Sequence, residues 1–106
     1  MNWIQLGIDV SLNDITRNKF PYLIFKHSTR CSISNMVLSR FERNHKNVSG
    51  EFYLLDLLNH RAISNNISSY FDVEHESPQI LFINDGVCKL ALSHNAINTF
   101  KYTDHF

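Results

Sequence analysis

Cys31 is the side chain in this sequence with the clearest capacity for covalent chemistry. It lies in the polar run His27-Ser28-Thr29-Arg30-Cys31-Ser32-Ile33-Ser34, between an apolar run and an amphipathic one. If the first run is a strand and the second a helix, the thiol lies at a helix N-terminus, where unpaired N–H groups and the helix dipole favour a thiolate. Most cysteines are small, buried and inert, but these polar flanks indicate an exposed thiol. We therefore predict that Cys31 is a nucleophile.

The motif around the thiol is Cys31-Ser32-Ile33-Ser34, a Cys-x-x-Ser arrangement. Because serine stands where a Cys-x-x-Cys redox motif has its second thiol, no disulfide can form within the motif. A lone thiolate can still attack a mixed disulfide, take over its small-thiol adduct and release the target as a free thiol; a second small thiol then regenerates it. The Ser34 hydroxyl is a candidate hydrogen-bond donor to the Cys31 thiolate, so we predict both as catalytic residues.

Three basic residues and a second cysteine have two readings each. His27 either stabilises the thiolate or simply ends the strand. Lys26 and Arg30 are either solvated or form a cationic rim for an acidic small thiol. Cys88 lies in a strand-like apolar run, which favours a buried core thiol over a distant resolving cysteine that would need suitable geometry to reach Cys31.

Composition restricts the class of protein. The chain has 106 residues, of which 43% are hydrophobic and 19% charged, and we expect one globular domain over 1–106. Lys+Arg and Asp+Glu number 10 each, which gives no general electrostatic reason to expect nucleic acid or an anionic membrane as partner. No apolar run has the length of a membrane span, and no signal pattern opens the chain. Two cysteines are too few for a disulfide scaffold, and the histidines form no compact metal motif, so we expect a cytoplasmic protein without a metal.

The hydrophobic pattern predicts a strand, a helix and a second strand around the thiol. The continuous apolar run at 22–26 suits a strand buried on both faces. A helix follows over about 32–44, with an inner stripe formed by Ile33, Val37 and Phe41. The run at 51–56 completes a βαβ unit with parallel strands and a right-handed crossover.

Three further helices are predicted, over about 11–18, over 60–71 with Asn59 as its cap, and over 95–102. Their expected inward residues are Ile63, Ile67 and Tyr70 or Phe71 in the middle helix, and Ala96, Ile97 and Phe100 in the last. Residues 3–6 are either a short extended segment or a lid. Strands at 79–83 and 87–92 flank Asp85-Gly86, which predicts a hairpin with a type I′ turn.

A βαβ unit followed by an antiparallel hairpin and a helix is the plan of the thioredoxin fold. We therefore predict an α/β, thioredoxin-like domain, with a central mixed sheet of about four strands flanked by helices. That fold places its reactive cysteine where Cys31 falls. It commonly places a cis-proline beside that cysteine, at the position of Pro78, although a trans loop proline is the alternative. Ser77 would then offer its backbone to an extended substrate segment.

Three stretches of the sequence resemble the monothiol bacilliredoxins, the small thioredoxin-like proteins of the bacillithiol redox system. They are Phe25-Lys26-His27-Ser28-Thr29-Arg30-Cys31-Ser32-Ile33-Ser34, Phe41-Glu42-Arg43 and Ser77-Pro78-Gln79-Ile80. The resemblance implies a monothiol oxidoreductase that removes bacillithiol from mixed disulfides of cytosolic proteins, with bacillithiol as co-substrate and no tightly bound cofactor. The substrate-binding candidates are then the residues around the thiol and the proline: His27, Thr29, Arg30, Ser32, Ser77 and Pro78.

Two other functions fit the same sequence. The domain could be a monothiol binding module without turnover, holding a partner or an iron–sulfur cluster shared between two Cys31 thiolates and two small thiols. It could also be a redox-silent structural domain, in which case Cys31 carries no chemistry.

Overall fold

A five-stranded mixed sheet lies at the centre of the computed structural model, which describes residues 1–105. The strands are β1 (Ile4–Gln5), β2 (Tyr22–His27), β3 (Glu51–Asp56), β4 (Gln79–Asn84) and β5 (Val87–Ser93), in the order β1-β3-β2-β4-β5. β1 and β2 run parallel to β3, whereas β4 is antiparallel to β2, and β5 to β4. The predicted α/β architecture is confirmed. The fifth strand arises because part of the undecided segment 3–6 pairs with β3.

β2 is the central strand, and all six of its residues are buried. Because successive side chains of a strand point to opposite faces, β2 contributes to two cores. Tyr22 and Ile24 pack on one face, in the cluster that contains residues of the first and third helices, while Leu23 and Phe25 pack on the other. This burial on both faces is the reason that the run lacks polar alternation.

Among residues 1–105, three α-helices and two 3-10 helices cover the sheet. They are α1 (Leu12–Thr16), α2 (Ser32–Asn44) and α3 (Arg61–Phe71), with 3-10 turns at His94–Thr99 and Tyr102–His105. α1 begins with a capping box between Ser11 and Asp14. Within residues 1–105, no helix is long and apolar enough to cross a membrane.

α2 has the predicted bounds but a different buried face. Ser34, Val37 and Phe41 are its buried residues, whereas Ile33 is 52% exposed. The predicted inner stripe was therefore wrong at its first residue, because Ser34 is buried there instead of Ile33. The physical reason is that the Ser34 hydroxyl finds buried partners at the end of β2, described below, which offset the burial of a polar group.

The start of α3 also differs from the prediction. His60, not Asn59, is its N-cap residue. The Asn59 side chain instead donates to the Asp56 carboxylate, with an Nδ2–Oδ2 distance of 2.7 Å. On the inner face, Ile67 is buried and Ile63 packs against the core, as expected; of the two alternatives for the last position, Phe71 packs against the core and Tyr70 is 58% exposed.

The C-terminal segment forms 3-10 turns rather than the predicted α-helix over 95–102. Ile97 and Phe100 are buried as predicted, but Ala96 is exposed. Because residues three apart lie above one another in a 3-10 helix, this geometry suits the spacing of the two buried side chains. The hairpin agrees with expectation: Asp85 and Gly86 have φ of 55° and 76°, and a type I′ turn requires positive φ at both.

Candidate active site

Cys31 lies where the sequence predicts, at the N-terminal end of α2. It is the N-cap residue, and its thiol is free and partly exposed. Its backbone N–H donates to the Ser28 carbonyl (3.2 Å), and its own carbonyl accepts from the Asn35 N–H (3.0 Å). These two bonds close the loop between β2 and α2. In the described chain the thiol itself makes no capping hydrogen bond.

Ser34 is fully buried under this loop. Its Oγ accepts a hydrogen bond from the Ser28 N–H at 3.1 Å and lies 2.7 Å from His27 Nδ1. The hydroxyl therefore ties the first turn of α2 to the last residue of β2. The recorded partners of Oγ are His27 and Ser28, so a bond from Ser34 to the Cys31 thiolate stays a prediction.

His27 ends β2, as one of its two readings required, and is only 5% exposed. Burial lowers the pKa of its imidazole, because the charged form loses its hydration. The Asp56 carboxylate, a hydrogen bond with the Asn35 side chain and the Glu42 carboxylate oppose that shift. His27 is thus a neutral base at neutral pH, with acidic groups nearby that would stabilise its protonated form.

Thr29 and Arg30 line a surface cavity of about 320 Å³, together with Leu58 and Asn59. The last two residues follow β3, so the cavity lies where two parallel strands end at the same sheet edge. The sequence analysis missed them, although adjacent carboxyl ends of parallel strands are a general place for ligand sites. Ser32, also predicted as substrate-binding, is exposed in the first turn of α2 and is not part of this cavity lining.

The Ser77–Pro78 peptide bond is cis, which is the alternative that the thioredoxin plan favours over a trans loop proline. Lys26 of β2 pairs in register with Gln79 of β4, so Pro78 lies at the edge of the sheet where β2 ends. Its carbonyl accepts a hydrogen bond from the His94 N–H (3.0 Å). The structure thus places the loop of Cys31, the Leu58–Asn59 loop and the proline at one edge.

Neither reading of Lys26 was right. The residue is fully buried, so it is not solvated and does not form a rim. Its Nζ donates to the Ser64 carbonyl (3.4 Å) and lies 3.3 Å from His75 Nδ1. Burial lowers the pKa of Lys26 to about 8. Because Lys26 follows Phe25 in a strand, it faces the opposite side of the sheet from the α2 core.

Cys88 lies at the other end of the sheet. It is partly buried against the core, and its thiol donates to the Leu90 carbonyl at 3.5 Å; burial raises its pKa. Cys88 pairs with Ile83, which pairs with Tyr22 at the start of β2, whereas Cys31 follows the end of β2. Five residues of strand separate these levels by roughly 16 Å, well beyond the ~7 Å between Cα atoms that a disulfide spans. Cys88 therefore cannot resolve Cys31 within this fold.

A larger cavity, of about 560 Å³, lies between residues 7–14 and α3. Its lining includes none of the predicted site residues.

Comparisons with known proteins agree with this geometry. Among solved structures, the chain is similar to a protein assigned as an oxidoreductase with a thioredoxin fold, with 28% identity, a TM-score of 0.77, and coverage of 90% of this chain and 85% of that one. It is also similar to the thioredoxin of Fasciola hepatica (18% identity, TM-score 0.69, coverage 93% and 90%). The thioredoxin of Trypanosoma brucei brucei gives 10% identity, a TM-score of 0.73, and coverage of 92% and 83%. The last two show the fold alone.

The fold is therefore that of thioredoxin, and the free thiol of Cys31 lies at the N-terminal end of α2. These findings support a thiol oxidoreductase role. The sequence matches the family "Monothiol bacilliredoxin BrxC" over residues 6–101, nearly the whole length. The chain belongs to the monothiol bacilliredoxin family.

Proposed function

We propose that this protein removes bacillithiol from mixed disulfides of cytoplasmic proteins, using Cys31 as its nucleophile. The observation that carries the proposal is a partly exposed free thiol at the N-terminus of α2, with a serine three residues on. Since Cys88 is at the far end of the sheet, Cys31 has no resolving thiol in its own chain. A second thiol must therefore come from solution.

The reaction balances as two thiol–disulfide exchanges. The Cys31 thiolate attacks the bacillithiol sulfur of the mixed disulfide, a new disulfide joins Cys31 to bacillithiol, and the protein leaves as a thiolate that takes a proton from solvent. A second small thiol then attacks the bacillithiol sulfur on Cys31. Cys31 leaves as a thiolate, and the two small thiols depart as one disulfide.

The loops around Cys31 supply the proposed contacts. Arg30 and Thr29 line the 320 Å³ cavity, and a guanidinium is the side chain best suited to bind the carboxylates of an acidic small thiol. Ser77 and Pro78 would hold the protein half of the mixed disulfide through backbone contacts at the same sheet edge. Ser32 would contact substrate from the first turn of α2, Ser34 would act on the thiol, and His27 would act through Ser34.

Intact mass spectrometry tests the proposal directly. We expect one adduct on the wild-type protein after incubation with oxidised bacillithiol, and less with oxidised glutathione at equal concentration. Cys31→Ser should take up no adduct. Cys88→Ser is the matched control and should behave as the wild type, since Cys88 is remote and its thiol pKa is raised by burial. An adduct on Cys88 alone, or none at all, would contradict the proposal.

A turnover assay separates an enzyme from a binding module. The substrate is a bacillithiolated model protein, with free bacillithiol as the second thiol. We expect many molecules of free target per molecule of protein, and none with Cys31→Ser. Release that stops at one target per protein would replace the proposed activity with stoichiometric binding.

A further inference from the structure

Ser34 Oγ has room for one more hydrogen bond than the two that the structure records. A hydroxyl donates once and accepts twice. The Ser28 N–H, at 3.1 Å, uses one acceptor position, and His27 Nδ1, at 2.7 Å, is the second partner. Ser34 and His27 are 0% and 5% exposed, so bulk water does not substitute for these partners.

The direction of the short bond depends on the tautomer of the His27 ring. Burial lowers the pKa of this imidazole, so the ring is neutral at neutral pH. When Nδ1 of the neutral ring carries no proton, Ser34 must donate to it. That leaves one acceptor position of Oγ free to receive a proton from a third group.

Cys31 is placed to be that third group. It is the N-cap residue of α2, and Ser34 is at the N3 position of the same turn. In a capping box, the side chains at these two positions each reach the backbone N–H of the other residue, so both side chains belong to the same first turn. The Cys31 thiol makes no capping hydrogen bond among the described residues.

We propose that Ser34 relays a proton from the Cys31 thiol to His27. The thiol proton moves to Ser34 Oγ while the hydroxyl proton moves to His27 Nδ1, giving a thiolate, an intact hydroxyl and an imidazolium. Ser34 then donates to the thiolate, and His27 donates to Ser34. The inference rests on the proposed role of Cys31 as nucleophile. His27 acts through Ser34, so it is a positioning residue that does not touch the substrate.

The surroundings of His27 favour the charged product. Asp56 faces the ring from β3, and Asn35 and Glu42 face it from α2; all three stabilise the imidazolium. The Ser28 N–H stabilises the hydroxyl oxygen as its proton moves. Neighbouring groups thus stabilise both His27 and Ser34 during the transfer.

The first test is the rate of Cys31 alkylation by iodoacetamide between pH 6 and pH 10. At pH 6.5, Ser34→Ala and His27→Phe should each slow alkylation about tenfold to a hundredfold, the size of one lost hydrogen bond to a charged group. The double variant should be no slower than either single one, because both break the same relay. At pH 10 all rates should converge, since hydroxide ionises thiols without a relay.

Two controls separate a relay from a loss of structure. Ser34→Thr keeps the hydroxyl and should restore most of the rate at pH 6.5. His105→Gln removes an exposed histidine from the C-terminal turn and should leave the profile unchanged. Equal slowing at every pH, or wild-type rates at pH 6.5 in Ser34→Ala and His27→Phe, would overturn the relay.

The second test uses the wild-type protein and needs no buried substitution. Nitrogen NMR of His27 reports the protonation of Nδ1. At pH 6.5 we expect more Nδ1–H in the free thiolate protein than after Cys31 is alkylated; an identical titration in both forms would overturn the inference. Failure of the proposed function looks different: the relay signature would be present, but bacillithiol mixed disulfides would not be turned over.

Discussion

The two ends of α2 each hold a buried histidine, and the two histidines are bonded differently. At the C-terminal end, His45 Nδ1 donates to the Phe41 carbonyl (2.9 Å), and Nε2 accepts from the Tyr102 N–H (3.1 Å). Both partners are backbone groups, which can only accept or only donate, so they fix one neutral tautomer. At the N-terminal end, His27 contacts the Ser34 hydroxyl, which can do either. One histidine is therefore held in a single state, and the other can change state without losing its bond.

The two ends of α2 also differ in packing, and the C-terminal end is the more tightly packed one. The His45 ring stacks on Phe41 with centroids 4.1 Å apart, and it also faces Phe100 at 6.0 Å. At the other end, Ile33 and Met36 are 52% and 45% exposed. The C-terminal end of α2 is thus closed by aromatic rings, whereas the N-terminal end is open around the thiol. The C-terminal end of α2 therefore contributes to stability, whereas the candidate nucleophile lies at its N-terminal end.

The largest effect on stability should come from a substitution of His45 at the C-terminal end of α2. His45→Ala removes a stacked ring and leaves the Tyr102 N–H without its recorded partner, so it should lower the free energy of unfolding by about 3–5 kcal/mol. Urea denaturation measures the loss. His45→Phe keeps an aromatic ring and should cost less, about 1–3 kcal/mol, for the two hydrogen bonds of His45 alone. Equal losses in both variants would show that the hydrogen bonds, not the packing, dominate.

The second-largest effect should be a loss of folding stability in acid, caused by the protonation of His45. Burial lowers the pKa of His45, so the folded state binds its proton less tightly than the unfolded state does. Stability is then complete above the unfolded value near pH 6.5 and falls as the pH drops through the folded value, by at most about 1.4 kcal/mol per pH unit for one histidine. Urea midpoints between pH 7.5 and pH 5 give the slope. His27 contributes with the same sign. A His45→Phe variant whose slope matches the wild type would contradict this assignment.

A smaller effect, on substrate preference alone, is expected from Arg30 at the open end. Arg30→Gln should slow exchange with an acidic small-thiol disulfide about fivefold, roughly 1 kcal/mol, because a guanidinium–carboxylate contact is lost. Exchange with neutral hydroxyethyl disulfide should not change, and neither should the unfolding free energy, since Arg30 is exposed. If both disulfides slow equally, the 320 Å³ cavity does not recognise the carboxylates.

The smallest effect should be that of Ile33→Ser. The predicted stripe made this residue part of the core, whereas it is 52% exposed beside the thiol. Substitution at such a site should change the unfolding free energy by less than about 0.5 kcal/mol. Val37→Ser, at a fully buried position of the same helix, is the contrasting control. A large loss of unfolding free energy in Ile33→Ser would show that Ile33 is part of the core, as the sequence predicted.

The sequence predicted those parts of the fold in which one strong signal decides the outcome. The continuous apolar run of β2 and the Asp85-Gly86 turn are such signals, and the bounds of α2 and β3 agree with the structure. Ile33 failed because hydrophobic periodicity takes no account of a polar group with buried partners. The segment 95–102 failed because aromatic packing, not helix propensity, sets its backbone.

The sequence predicted only those candidate-site residues that the fold plan marks or that lie near Cys31 in the sequence. Cys31 and Pro78 were found because the fold assigns those positions, and Thr29 and Arg30 because they are adjacent to Cys31. Asp56, Asn35 and the cavity residue Asn59 were missed, since the proximity of the first two to His27, and of Asn59 to Arg30, depends on strand register and helix phase. Lys26 was misplaced because a lone lysine in an apolar run gives no indication of the face on which it is buried.

The oxygen of Ser34 limits how this protein could be converted into a dithiol enzyme. The change from Ser34 to Cys replaces one atom, and at first sight it only supplies the missing resolving thiol. The site, however, holds oxygen at 2.7 Å and 3.1 Å from its partners, whereas the sulfur of Cys88 lies 3.5 Å from the carbonyl to which it donates. Sulfur is also the weaker acceptor. Such an exchange would push His27 and Ser28 apart, so the step from one thiol to two needs a rebuilt loop as well as a new side chain.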